Sequence, residues 1–259
     1  MTGDPVLLVE QLDDVITVLT LNRPQRRNAL NIDLMKSLCG TLDALAEQPR
    51  RRLVLLRGAG AGFCSGLDLR ETADPGLAEQ CADWVARTFT TLKESPLITV
   101  ALAQGAAFAG GAGLLACCDF VIAAEDLRIA FPEVRRGLIP ALVAALLADR
   151  VREGDLKELF LIAEPVTAER GLTMGLVHRI VAADRMMDVA LGLAKSILNG
   201  GPEAVRETKQ WIRDLRTTEP GQRFGHALSV HKRVRESLEA QEGLNSFLEH
   251  RAPSWISNQ

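Results

Sequence analysis

The feature that most constrains this chain is the stretch Ala103-Gln104-Gly105-Ala106-Ala107-Phe108-Ala109-Gly110-Gly111-Ala112-Gly113-Leu114-Leu115-Ala116-Cys117-Cys118-Asp119, an apolar strand running through a glycine-rich turn into a short buried helix. Glycine takes backbone angles closed to other residues and lets a ligand approach the main chain. The helix that follows points unpaired N–H groups and a positive dipole end back at the turn. Such a junction suits an oxyanion. A second element of the same kind lies upstream, where residues 53–58 read as a buried strand and residues 59–69 as the loop after it. Each of the two elements offers one N–H.

Around these landmarks the chain alternates. Residues 6–9 and 15–21 read as paired strands around an Asp13-Asp14 turn, and residues 32–47 as a helix with Leu34, Leu38, Leu42 and Leu45 on one face. Strands over 53–57, 97–103 and 120–124 then alternate with helices over 77–93 and 111–117, which predicts an α/β core with right-handed crossovers. Beyond Ala141 the pattern is mostly helical, over 142–151, 155–162, 168–174, 185–198, 202–216 and 221–239.

With 259 residues, 47% of them hydrophobic, the chain can bury one large core, or a core plus a small appendage. The net charge of −3 and the scattered basic residues, with only Arg50-Arg51-Arg52 as a run, argue against nucleic-acid binding. No apolar run is long enough to span a bilayer, and the acidic Asp4 and Glu10 do not suit a secretory leader, so a cytoplasmic protein is expected. Cys39, Cys64, Cys81, Cys117 and Cys118 form no CxxC pair, nor any zinc spacing with His178, His226, His231 and His250; free thiols and no metal are expected. The glycines at 58, 60 and 62 superficially suggest a dinucleotide loop. The next position of that fingerprint is Phe63, no helix follows directly, and no acidic residue ends the next strand, so that reading is rejected.

Taken in order, Asn22-Arg23-Pro24 with Asn28-Ala29-Leu30-Asn31, the loop through Ser65-Gly66-Leu67-Asp68, the glycine-rich turn, Phe131-Pro132-Glu133-Val134 with Gly137-Leu138-Ile139-Pro140, residues 168–178 and Phe247-Leu248-Glu249-His250-Arg251-Ala252-Pro253 resemble the enoyl-CoA hydratase/isomerase (crotonase) family over nearly the whole chain. The resemblance implies an α/β fold with a core of repeated ββα turns, here residues 1–199, followed by a helical trimerisation region, residues 200–259. It further implies an acyl-CoA substrate, with coenzyme A as part of that substrate and no other cofactor, and a homotrimer or dimer of trimers. Neither nucleic acid nor membrane is an expected partner. Leu228, Leu238, Leu244 and Phe247 would be over-exposed on a monomer.

Carried over position by position, the resemblance gives the backbone N–H groups of Leu67 and Gly110 as donors to a thioester enolate. Glu133 is the expected proton carrier; it lies between apolar segments where partial burial should raise its pKa. Arg26 and Arg27 match a basic position near the CoA nucleotide, with Ala29 beside them, and Ser65, Asp68, Leu69 and Arg70 are expected along the adenine and pantetheine path. Phe247 and His250 match C-terminal positions that reach an adenine, often in the neighbouring subunit. One position departs. Two-glutamate hydratases carry a carboxylate where this chain has Gly113, and the family's "G-G-T-Q-R-L" stretch is replaced by residues 141–146. Because residues 110–116 and 133–141 also resemble a branch assigned to hydration of branched unsaturated acyl-CoAs such as methylglutaconyl-CoA, hydration and double-bond migration of an unsaturated, branched or unbranched, acyl-CoA are weighted nearly equally, with acyl-CoA decarboxylation and a catalytically silent acyl-CoA-binding subunit as alternatives.

Overall fold

The computed structural model describes residues 4–257. β1 (Leu7–Gln11) and β2 (Ile16–Leu21) pair antiparallel, and the Asp13 carboxylate stabilises their turn by accepting the N–H groups of Val15 and Ile16 at 2.7 and 2.6 Å. There follow α1 (Ile32–Ala46), β3 (Leu53–Gly58), α2 (Leu69–Thr72), α3 (Ala78–Glu94), β4 (Ile98–Ala103), β5 (Ala106–Phe108), α4 (Gly110–Cys117), β6 (Phe120–Ala124) and β7 (Arg128–Ala130). Next come α5 (Ala141–Leu147), α6 (Glu153–Lys157), β8 (Val166–Thr167), α7 (Ala168–Thr173), β9 (Arg179–Val181) and α8 (Met186–Leu198).

A six-stranded sheet runs in the order β1-β2-β3-β4-β6-β9, parallel throughout except for the first pair. Leu55 sits between Val18 and Val100 in this ladder. β2 and β4 are buried along their whole length, which is why they carry apolar residues and threonine but no charged side chain. A second sheet, β5-β7-β8, joins β5 and β7 in parallel. α4 is buried at every residue and carries no charged or hydroxyl side chain.

Three expectations need correction. The segment after Ala141 contains strands β8 and β9 as well as helices, and β5 and β7 were absent from the sequence reading; runs of two or three residues leave no periodicity to detect. Residues 155–162 are not one α-helix, because after α6 the chain widens into a π turn, Glu158–Ile162, that closes at Ala163 in the left-handed conformation (φ 56°). α9 (Pro202–Thr217) stands as expected, but residues 221–239 divide into α10 (Arg223–Arg235) and α11 (Leu238–Leu248), with α12 (Ser254–Ser257) beyond. The break falls at Ser237, whose hydroxyl accepts the Ala240 N–H at 3.1 Å and starts a new helix.

By compactness the chain divides into two units, parting between Ala190 and Leu191 within α8, and Gly200-Gly201-Pro202 forms the corner from α8 into α9. Both sheets belong to the first unit. Within the second, the Glu239 carboxylate of α11 accepts the Glu203 and Ala204 N–H groups at 2.9 and 2.8 Å, capping the start of α9, and Arg233 pairs with Glu207 across α10 and α9. All five cysteines are free and buried. Among the described residues no helix is long and apolar enough to cross a membrane.

Candidate active site

Construction of the site begins at Asn28. Arg27 and Asn28 both take left-handed backbone angles (φ 51° and 54°), a conformation asparagine tolerates better than most residues. The Asn28 side chain is fully buried: its oxygen accepts the Arg23 N–H at 2.9 Å, and its amide donates to the carbonyls of Ala59, Gly62 and Phe63 at 2.8, 2.9 and 3.1 Å. Main-chain bonds then carry the loop onward. Ser65 N–H donates to Arg27 O at 3.0 Å, Leu30 N–H to Gly66 O at 2.8 Å, and Asp68 N–H to Leu30 O at 2.9 Å. Burial would raise the Asp68 carboxyl, but hydrogen bonds from Arg23 and the Arg70 N–H, with the charges of Arg23 and Arg26, hold it below its ordinary value. The Cys64 thiol, pushed up to about 12 by burial, donates to Asn28 O and is a core group rather than a nucleophile.

Three chain segments lie side by side and leave the smaller sheet at the same end. Cys64 bridges Ala107 in parallel, Phe108 N–H donates to Cys64 O at 2.9 Å, and β5 pairs with β7 so that Phe108 lies opposite Ala130. Just past these ends come Leu67, Gly110 and Glu133 respectively. Gly66 (φ 96°) is required: a Cβ there would lie 2.9 Å from both Phe108 O and Ala109 Cβ. A Cβ on Gly110 would lie 3.8 Å from Leu67 N, so the two expected donors adjoin. Ala109 sits between them at φ 48°, ψ −121°, anchored by its N–H to Ala130 O at 2.8 Å. Gly110 is the first residue of α4, so its N–H has no partner within the helix, and Leu67 N–H lies outside the Leu30–Leu67 ladder bonds. Among the described residues neither N–H donates to a protein acceptor.

Glu133 lies in the 3₁₀ turn Pro132–Arg136, closed by Gly137 at φ 71°. Its Oε2 is shut off from solvent and has no hydrogen-bond partner. Burial raises its pKa above the ordinary carboxylate value, opposed by its own backbone N–H and by the Arg136 charge. The buried Phe131 anchors the turn edge-to-face on Phe160 of the π turn, ring centres 5.2 Å apart.

Of the other expected residues, Arg26, Arg27, Leu69 and Arg70 are exposed, Ser65 and Leu67 are half-buried, and Ala29 is buried with its carbonyl accepting from Arg23. Asp68 caps α2 and pairs with Arg23 at 2.9 Å, so its carboxylate is engaged by the protein. Phe247 and His250 belong to the second unit, both exposed, with His250 left-handed (φ 55°) after α11. The sequence reading missed the clamp of Asn28, the two hydrogen bonds that the Gln104 side-chain amide donates to Gly58 O and Gly60 O at 2.9 Å each, and Phe89 of α3, whose ring covers Gly113. The Asn28 signal was visible in the Asn-Ala-Leu motif; Phe89 gave none.

Two open main-chain donors at the same sheet end as a carboxyl group with one buried, unpartnered oxygen are groups suited to handling a proton next to a carbonyl. The chain matches the model of the enoyl-CoA hydratase/isomerase family over residues 11–258 and belongs to that family. An enoyl-CoA hydratase of Mycobacterium tuberculosis is 30% identical to it over 257 residues, covering 97% of this chain and 96% of that one. The 2,3-dehydroadipyl-CoA hydratase of Escherichia coli is 28% identical, covering 93% and 94%. Among solved structures, an enoyl-CoA hydratase of Mycobacterium smegmatis superposes with a TM-score of 0.92 at 29% identity, covering 98% of this chain and all of that one. The protein is thus an enzyme of the hydratase/isomerase type on a crotonase fold.

Proposed function

We propose that the protein binds an unsaturated acyl-CoA with the thioester oxygen between the N–H groups of Leu67 and Gly110, and that Glu133 transfers the proton that hydrates the double bond or shifts its position. The observation that carries this reading is the buried, unpartnered Oε2 of Glu133 at the same sheet end as the two open donors. A pure binding protein gains nothing from such an acid, since burial disfavours its charge. As negative charge builds on the thioester oxygen, each donor contributes about 3 kcal/mol of transition-state stabilisation. The acid's raised pKa suits it to accept and return a proton.

Exposed Arg26 and Arg27 would meet the CoA phosphates, with Ala29 and the loop of Ser65, Asp68, Leu69 and Arg70 lining the path of adenine and pantetheine. Coenzyme A enters as part of the substrate, and no separate cofactor is needed. Leu228, Leu238, Leu244 and Phe247 are 49, 84, 53 and 78% exposed, which supports assembly as a homotrimer or dimer of trimers in which Phe247 and His250 reach a neighbour's adenine. The cytoplasm is the proposed location.

The test is turnover of crotonyl-CoA, 3-hexenoyl-CoA and 3-methylglutaconyl-CoA, with products identified by mass. Wild type should convert at least one, and Glu133→Gln, which keeps shape but cannot accept a proton, should be slower by about 10²-fold or more with acyl-CoA affinity little changed. Full turnover by Glu133→Gln would instead favour a decarboxylase relying on the two N–H donors. Tight binding of several thioesters without any turnover would favour a silent subunit.

A further inference from the structure

The turn that carries Glu133 leans on a second irregular turn. The ring of Phe131, two residues before Glu133, meets Phe160 edge-to-face, and Arg135, two residues after it, donates from Nη2 to Ile162 O at 3.1 Å. Phe160 and Ile162 both belong to the π turn Glu158–Ile162. Such a turn holds one more residue than α-helical geometry allows, and it persists where its surroundings impose it. Its closing residue, Ala163, is buried in the left-handed conformation, which an alanine takes at a cost, and its N–H donates to Glu158 O at 3.4 Å.

The constraint at the start of the π turn is Arg170. Its Nη2 donates to Glu158 Oε2 at 2.5 Å and to Asp155 Oδ1 at 2.6 Å, and its Nε to Glu158 Oε1 at 3.3 Å, so one guanidinium grips the residue that opens the π turn together with α6 before it. Arg170 is itself fixed in place. The Thr167 hydroxyl accepts its N–H at 3.2 Å at the start of α7, and the next residue, Gly171, lies so near β7 that a Cβ there would come within 3.0 Å of Ile129 Cδ1. β7 is the strand that leads into the Glu133 turn. The Arg170 and Glu158 side chains are each about a third exposed, where an ion pair adds little stability, so what the fork supplies is position.

We propose that Arg170 is a positioning residue for Glu133: its fork on Glu158 and Asp155 sets the width of the π turn, whose Phe160 ring and Ile162 carbonyl fix the turn that carries the carboxyl group. This rests on the reading of Glu133 given above. Without the fork the segment is free to tighten to α-helical spacing, and a shift of one residue turns the side chains that follow through about 100°. Phe160 and Ile162 O then leave Phe131 and Arg135, the Glu133 turn loosens, and water reaches Oε2. A displacement of about 1 Å at a proton-transferring group costs up to about 10²-fold in rate. Leu67 follows the Asn28 clamp and Gly110 opens α4, so the hold on the thioester oxygen stays.

The experiment measures kcat, KM, the pH dependence of kcat/KM and the melting temperature for wild type, Arg170→Met, Phe160→Leu, Arg152→Gln and Glu133→Gln, on whichever of crotonyl-CoA, 3-hexenoyl-CoA and 3-methylglutaconyl-CoA wild type converts fastest. Arg170→Met keeps the stem and removes the fork; its kcat should fall about tenfold or more while KM changes by less than about threefold. Phe160→Leu alters no charge around Glu133, leaving Arg136 on its own turn, Arg135 against Glu164, and Glu158 held by Arg170. Its acid limb of kcat/KM should therefore move to lower pH as Oε2 gains water, and it carries the test alone if Arg170→Met does not fold. Arg152→Gln removes the other partner of Asp155, which donates to it at 2.8 Å, without touching Glu158; it should lower the melting temperature and leave kcat as in wild type. Arg170→Met with kcat per folded molecule unchanged, Arg152→Gln with an equal fall in kcat, or an unmoved acid limb in Phe160→Leu overturns the proposal. Full turnover by Glu133→Gln, or no turnover of the three thioesters by wild type, shows instead that the underlying reading of Glu133 has failed.

Discussion

Glu133 is a residue that the fold tolerates at a cost. Its carboxyl has one oxygen out of solvent and unpartnered, and its pKa is higher in the folded chain than in the unfolded one. A raised carboxyl contributes stability below its unfolded value, and that contribution is lost as pH rises through the folded value. Glu133→Gln should therefore melt at a higher temperature than wild type at pH 7 to 8, with the difference closing as pH falls below about 4.5, where the wild-type carboxyl is protonated in both states. Thermal melts across that range check it; a variant less stable than wild type at neutral pH would mean that the charged carboxylate is held by partners. Glu133, Leu67 and Gly110 were singled out from the sequence through the resemblance, because each lies in a distinctive motif. Phe89 was not, because it meets Gly113 from a different helix, where it reads only as one more apolar position on the buried face of α3.

Among the elements, β2, β3 and β4 were legible because burial on both faces makes them predominantly apolar, and α1 because its leucines recur on one face. The smaller sheet was not, although it aligns the three site segments: β5 and β7 have three residues each and β8 two. Short strands need outside support. Asn28 provides part of it, by tying the Arg23 loop to Ala59, Gly62 and Phe63 immediately before Cys64 joins Ala107. Asn28→Ala leaves those buried main-chain groups short of a partner and puts alanine at a left-handed position, so it should cost about 2–4 kcal/mol of stability. Denaturant unfolding measures this, and turnover should fall further than the loss of folded protein accounts for, because the Ser65 to Leu67 backbone hangs from the same clamp. A loss below about 0.5 kcal/mol would mean that the clamp is redundant.

For the whole molecule, the helices of the second unit leave large apolar side chains in water, with Phe224 and Leu248 exposed as well as the four positions named earlier. Light scattering should give a mass of three or six chains of 28.1 kDa each; a stable single chain at working concentration would contradict the proposed assembly. The central claim is that one carboxylate beside two main-chain donors carries the chemistry. Its most direct test is hydrogen exchange at Cα of 3-hexenoyl-CoA in D2O, followed by mass spectrometry or NMR, because it observes proton removal whether or not product accumulates. With the proton on Glu133 exchanging with solvent between its removal and its return, wild type should place deuterium at Cα or Cγ, and Glu133→Gln should do so about 10²-fold more slowly or worse while binding the thioester with similar affinity. Exchange in Glu133→Gln at the wild-type rate would contradict the account.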